Sequence, residues 1–259
     1  AVMNSFEEVI SGASAACLAS KMPVVGGNVS FYNQSNGENI DPTPVFGIVG
    51  TVENLKYRAP GMKYEQGNIL VLVETASYTN SSFEDRDDVV LAGSEIATMN
   101  DEREGMCPVV DLEASVKTIE NVRDLVFEQM QKPVTDRDLT AIHDISKGGL
   151  FVTLIEMASS GDCGFEVAIK ADAPALWSLF AEGPGRFILA VKEDRLNNIV
   201  SSFDDSVSAT VIGRAVKGGG NDGMCRAIIS QGTDAVINLQ VKETAEILSN
   251  SLEQAINAH

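Results

Sequence analysis

The chain has 259 residues, enough for one large domain or two modest ones, and its 44% hydrophobic and 22% charged residues suit a folded domain that buries its own core. A net charge of -18 argues against a surface made for nucleic-acid phosphates or anionic lipid heads. No apolar run approaches the ~20 residues of a membrane span, and residues 1–10 lack the basic start of a signal peptide and carry Glu7 and Glu8.

Taken in chain order, Ser5 and Glu8 read as a capping box, with Phe6, Val9, Ile10, Ala13 and Cys17 following at helical spacing. They predict a helix from about residue 5 to residue 21. Residues 23–25 read as a short buried strand, and residues 44–52, apolar throughout, as a strand covered on both faces. One helix and two strands are too little for an independent domain, so the chain is expected to begin inside one. Pro60 and Gly61 mark a boundary in a polar stretch at residues 54–67. Beyond it, strands are expected at 69–73, 139–143, 165–169, 186–191, 209–212 and 227–230. Helices are expected at 115–130, 149–159, 194–200 and 241–255. Alternating strands and helices indicate a layered α/β (α+β) fold.

The four cysteines, Cys17, Cys107, Cys163 and Cys225, form no CxxC pair, and they read as reduced, buried thiols of a cytosolic protein. The acidic run at residues 85–88 reads as a solvated loop. The glycine-rich run at residues 217–223 lacks the order of a phosphate-binding loop and is not followed by a helix. It reads as a hairpin turn between the strands on either side.

Three stretches carry candidate chemistry. In Gly26-Gly27-Asn28-Val29-Ser30, the glycines allow close backbone approach and the alternating Asn28 and Ser30 offer oxygen donors on one side. Hard Mg2+ accepts such oxygens. A Gly-Asn turn closed by its own hydrogen bonds is the commoner outcome for so short a motif. In His143-Asp144-Ile145-Ser146-Lys147-Gly148-Gly149-Leu150, a strand end leads into a helix whose first amides could hold an anion. The alternative is that Ser146 caps the helix and the glycines serve a tight turn. His143 could be a base, though an imidazole satisfied at a strand end is commoner. In the third stretch, Glu182 and Arg186 flank Gly183-Pro184-Gly185. Arg186 could pair with Glu182 or clamp a phosphate.

Residues Gly26 to Asn33, followed by Pro42-Thr43-Pro44-Val45-Phe46-Gly47, resemble a signature in the second half of the large subunit of the phosphoribosylformylglycinamidine synthase family. His143 to Leu150, and Leu179-Phe180-Ala181-Glu182 with Gly185-Arg186-Phe187, resemble two further segments of that family in the same order. The family belongs to a wider ATP-dependent superfamily that includes aminoimidazole ribonucleotide synthase. The resemblance implies a synthase C-terminal-type α/β domain at 55–259, preceded at 1–54 by the end of an ATP-binding N-terminal-type domain. It implies part of an ATP-dependent ligase that converts formylglycinamide ribonucleotide to its amidine with glutamine-derived ammonia, in the cytoplasm. Gly27 would contact ATP, Asn28 would bind Mg2+ and Ser30 would contact the ribonucleotide. No catalytic residue is implied in this chain, which by itself would be inactive. His143, Asp144, Ser146, Gly148, Gly149, Glu182 and Arg186 would form an auxiliary site in a quasi-symmetric copy of the active half. Expected partners are a glutaminase subunit, a small bridging subunit and the N-terminal remainder of the same subunit; nucleic acid and membrane are not expected. The family has Glu-Ser-Gln where this chain has Glu182-Gly183-Pro184, which removes a hydroxyl, an amide and a backbone donor.

Overall fold

A computed structural model describes residues 2–29, 34–39, 43–76, 91–101, 110–218 and 224–257, in two compact units, Ala1–Glu53 and Asn54–His259. Ser30, Cys107, the acidic run at 85–88 and residues 219–223 lie outside the described residues.

In the first unit, helix α1 (Val2–Ser20) starts before Ser5, so Ser5 and Glu8 lie inside it and not at its cap. Lys21 ends it in the left-handed region (φ 56), with its N–H on the Leu18 carbonyl and the Met22 N–H on the Cys17 carbonyl. That pair of bonds is a Schellman ending, here built on lysine instead of glycine. Strands β1 (Gln34–Ser35) and β2 (Glu38–Asn39) form a minimal hairpin around Asn36 and Gly37, both at positive φ. The strands expected at 23–25 and 44–52 are absent. Val25 is 95% exposed and Val49 96%, so the second run is covered on neither face. An apolar run becomes a strand only when another strand takes its amides and carbonyls, and among the described residues none pairs with either run.

The second unit is a seven-stranded sheet in the order β4-β6-β3-β7-β5-β8-β9. Its strands are β3 (Ile69–Thr75), β4 (Leu139–Asp144), β5 (Gly164–Ile169), β6 (Phe187–Val191), β7 (Val207–Val216), β8 (Arg226–Gln231) and β9 (Asp234–Gln240). All neighbours run antiparallel except β5 and β8. Among the described residues the helices are α2 (Glu95–Met99), α3 (Leu112–Gln131), α4 (Gly149–Gly161), α5 (Ala175–Phe180), α6 (Leu196–Val200) and α7 (Val241–Asn257).

β3 is apolar at consecutive positions because both its faces are covered. Ile69, Val71 and Val73 share a core with Val122 and Leu125 of α3. Leu70 and Leu72 share the opposite core with Leu150, Leu154, Ile155 and Ala158 of α4. The mixed layers agree with the expected fold class, and the expected elements in this unit recur with shifted ends. The helix expected at 194–200 opens as a 3-10 turn, Glu193–Arg195, before α6. Among the described residues, α2, α5, the edge strand β9 and the 3-10 turns Leu55–Tyr57 and Val134–Asp136 were not foreseen. The hairpin expected between β7 and β8 does not form, because β5 lies between them.

Candidate functional site

Sheet register brings the second and third candidate stretches together. β4 ends where β6 begins, with His143 opposite Ile188 and Asp144 opposite Phe187. The Ile145 N–H continues that contact by donating to the Arg186 carbonyl at 2.9 Å. The turn after β4 therefore faces the turn before β6, although the two lie about 40 residues apart in sequence. Between them is an open cleft of about 400 Å³, lined among others by Asp144, Ser146, Lys147, Glu182 and Arg186.

Gly148 and Gly149 shape the rim. Gly148 is the cap residue of α4 in the left-handed region (φ 77), and Gly149 follows at φ 67. A Cβ on Gly149 would lie 2.6 Å from the Leu179 carbonyl oxygen, and one on Gly148 would collide with the Val152 side chain. Glycine at both places is therefore a requirement of the turn and of the close approach to α5. Ser146 does not cap the helix by its side chain; its backbone carbonyl accepts from the Gly149 N–H at 3.0 Å.

The anion at this helix start is the protein's own. Glu182 Oε1 accepts from the Gly148 N–H at 2.8 Å and from the Glu95 N–H at 2.9 Å. One carboxylate thus sits on the cap amide of α4 and the first amide of α2, where a helix favours negative charge. Lys147 Nζ lies 2.8 Å from Glu95 Oε1, and that hydrogen bond raises the lysine pKa. Arg186 pairs with Glu74 at 3.0 Å, not with Glu182, and both side chains are buried; its Nη1 donates to the Ala181 carbonyl. His143 stands outside the cleft lining. Its ring nitrogens lie 3.2 Å from Asp144 Oδ1 and 3.2 Å from Glu156 Oε2, joining the end of β4 to α4.

Gly27 and Asn28 belong to the first unit. Both are exposed, Asn28 makes no side-chain hydrogen bond among the described residues, and a Cβ on Gly27 would meet nothing within 4 Å. Neither packing nor backbone angle demands a glycine at 27. Among the described residues no group of three or more His, Cys, Asp or Glu could hold a metal. Sequence reasoning missed Glu74, Glu95 and Lys147. Lys147 lay inside a quoted motif, and Glu74 follows the five apolar residues of β3, where a buried carboxylate needs a cation.

The family model described as AIR synthase related protein, C-terminal domain, matches residues 65–226, more than half of the chain. The chain belongs to the AIR synthase related family. The N-terminal domain model of the AIR synthase related proteins matches residues 2–52. Among curated relatives, phosphoribosylformylglycinamidine synthase subunit PurL of Thermococcus sibiricus is 35% identical over 219 residues, covering 82% of this chain and 27% of the relative. The subunit of the same name from Rhodospirillum rubrum is 34% identical over 208 residues, covering 78% and 25%. This AIR synthase related chain thus spans about a quarter of the length of such relatives. Among solved structures, Thermotoga maritima PurL complexed with FGAR superposes with a TM-score of 0.52 at 14% identity, over 74% of this chain and 30% of that one. At that identity the superposition shows the AIR synthase-like fold.

Proposed function

We propose that this chain is the C-terminal part of the large subunit of a phosphoribosylformylglycinamidine synthase, an ATP-dependent carbon-nitrogen ligase of purine biosynthesis. The observation that carries this is 35% identity to a PurL subunit over 82% of the chain. Residues 1–54 are the end of an ATP-binding N-terminal-type domain, and residues 55–259 are the C-terminal-type domain. ATP, formylglycinamide ribonucleotide and ammonia are the reactants. A glutaminase subunit supplies the ammonia, a small subunit bridges the assembly, and the N-terminal remainder of the large subunit completes the site in the cytoplasm. The exposed apolar run at 44–52 supports that last point, since it offers backbone and side chains for another strand to cover.

Gly27 is the ATP contact, and the open space at its Cα suits a ligand approaching the backbone. Asn28 is one oxygen ligand of Mg2+, and Ser30 orients the ribonucleotide. One carboxamide oxygen fits Mg2+ chemically but makes no site alone, so the other ligands come from phosphate oxygens and water. When bound, the ion offsets the phosphate charge. The complete subunit carrying Asn28→Ala should lose Mg2+-dependent, ammonia-dependent ADP release. Unchanged kinetics would refute the metal assignment.

A second reading, a non-catalytic nucleotide-binding or assembly half, is favoured by one observation. Glu182 already takes the cap amide of α4 and the first amide of α2, which favours the assembly form of this reading over nucleotide binding at that end of the cleft. Ammonia-dependent ADP release by the isolated chain would exclude this reading.

A further inference from the structure

Two of the cysteines are far apart in sequence and adjacent in space. Cys163 follows Asp162, which ends α4 in the left-handed region, and it precedes β5; Cys225 precedes β8. β5 and β8 pair in parallel with Phe165 opposite Ala227, and that register carried back two residues sets Cys163 opposite Cys225. The strands are still in close contact there, since a Cβ on Gly164 would collide with the Arg226 backbone. Cys225 Sγ donates to the carbonyl oxygen of Asp162, the residue bonded to Cys163, at 3.2 Å. Both side chains face one core: Cys163 is buried in the α4-side cluster and Cys225 packs against that cluster.

In-register residues on neighbouring strands stand about 4.8 Å apart, inside the roughly 4.4–6.8 Å between Cα atoms that a disulfide spans. Both residues lie one position outside the ladder, so their Cβ atoms can close without breaking a β5–β8 hydrogen bond.

We propose that Cys163 and Cys225 form a redox-modification site, a dithiol that closes to an intramolecular disulfide by exchange with a small-molecule disulfide such as oxidised glutathione. Cys225 is the entry point because it is partly exposed, whereas Cys163 is buried. Burial, with Cys225 adding to it, pushes the Cys163 thiol up. The Cys225 thiolate attacks one glutathione sulfur, the glutathione disulfide breaks, and one glutathione thiol leaves. Cys163 then gives up its proton and attacks the Cys225 sulfur, and the second glutathione leaves as a thiol. Two protein thiols are oxidised to one disulfide, and one glutathione disulfide is reduced to two thiols. The new bond joins the α4–β5 junction to the start of β8, where the Cys225 carbonyl also accepts from the Val241 N–H that opens α7.

The test uses the full chain with Cys17→Ser and Cys107→Ser, equilibrated with oxidised glutathione and read by denatured intact mass, thiol alkylation and peptide mapping. The expected result is a monomer lighter by about 2 Da, as loss of two thiol hydrogens requires. It should have no alkylatable thiol, a linked Cys163–Cys225 peptide, and full reversal by a dithiol reductant. Adding Cys225→Ser, at the more exposed position, should abolish the mass loss. A stable glutathione adduct, a disulfide between two chains, or two thiols still alkylatable at equilibrium would each overturn the proposal. Should the serine variant fail to fold, the linked Cys163–Cys225 peptide of the unsubstituted chain is the readout, and its absence there would overturn the proposal.

Discussion

Glu182 shows at the residue scale how one side chain can fill a site that its neighbours advertise. A glycine turn feeding a helix invites an external anion, yet the carboxylate bound there is internal. Hydrogen bonds to a charged group contribute about 1.5–3 kcal/mol. Glu182→Ala should therefore lower the urea-unfolding free energy by about 2 kcal/mol, and Glu182→Gln, which keeps an acceptor oxygen, should lower it by less. Tyr64 is the opposite case. Its ring is fully buried in the α4-side core, and its hydroxyl has no hydrogen-bond partner among the described residues. Burial pushes its pKa far above the ordinary 10.0, with Cys163 and Cys225 adding to the shift. Above about pH 10 the unfolded chain releases this proton while the folded chain keeps it, so stability falls as pH rises. Below that pH both states hold the proton and the group contributes no slope. Tyr64→Phe should flatten the alkaline limb of a stability–pH curve and raise neutral-pH stability by about 1 kcal/mol, because an unpaired buried polar group is removed.

At the scale of elements, α3 begins at Leu112 because Asp111 caps it: Asp111 Oδ1 accepts from the Ala114 N–H at 3.0 Å. Asp111→Ala should cost about 1 kcal/mol in chemical denaturation. The apolar spacing on α3 and α4 and the unbroken run of β3 were legible in the sequence, since a core face imposes its period on the residues that fill it. β9 was not. Its residues are mostly exposed at the sheet edge, so little apolar pattern marks it, and its pairing with β8 makes it a strand. α5 was missed for a different reason, being a helix too short to show a period. Residues 44–52 misled in the other direction. Their composition is that of a covered strand, but a ladder is a relation between two segments. The candidate site was legible as two motifs. Their facing each other follows from the β4–β6 register, and Arg186 meeting Glu74 follows from the packing of β3 beside β6.

At the scale of the whole molecule, the second unit holds the cores on both faces of the sheet and the entire seven-stranded sheet. The first unit leaves Val24, Val25, Val45, Ile48 and Val49 largely exposed. Residues 54–259 expressed alone should unfold in one cooperative urea transition and bind less of a hydrophobic dye than the full chain does. A broad, non-cooperative transition would contradict the independence of that unit. By itself the sequence determined the layered α/β class, the central elements of the second unit and the family resemblance. Those rest on local spacing and on residue strings that survive without a partner. Only the tertiary structure decided that an internal carboxylate occupies the helix starts, that Arg186 serves Glu74, and that Cys163 stands beside Cys225. Each of these is a meeting between segments distant in the chain, and strand order and register set such meetings while composition and periodicity do not record them.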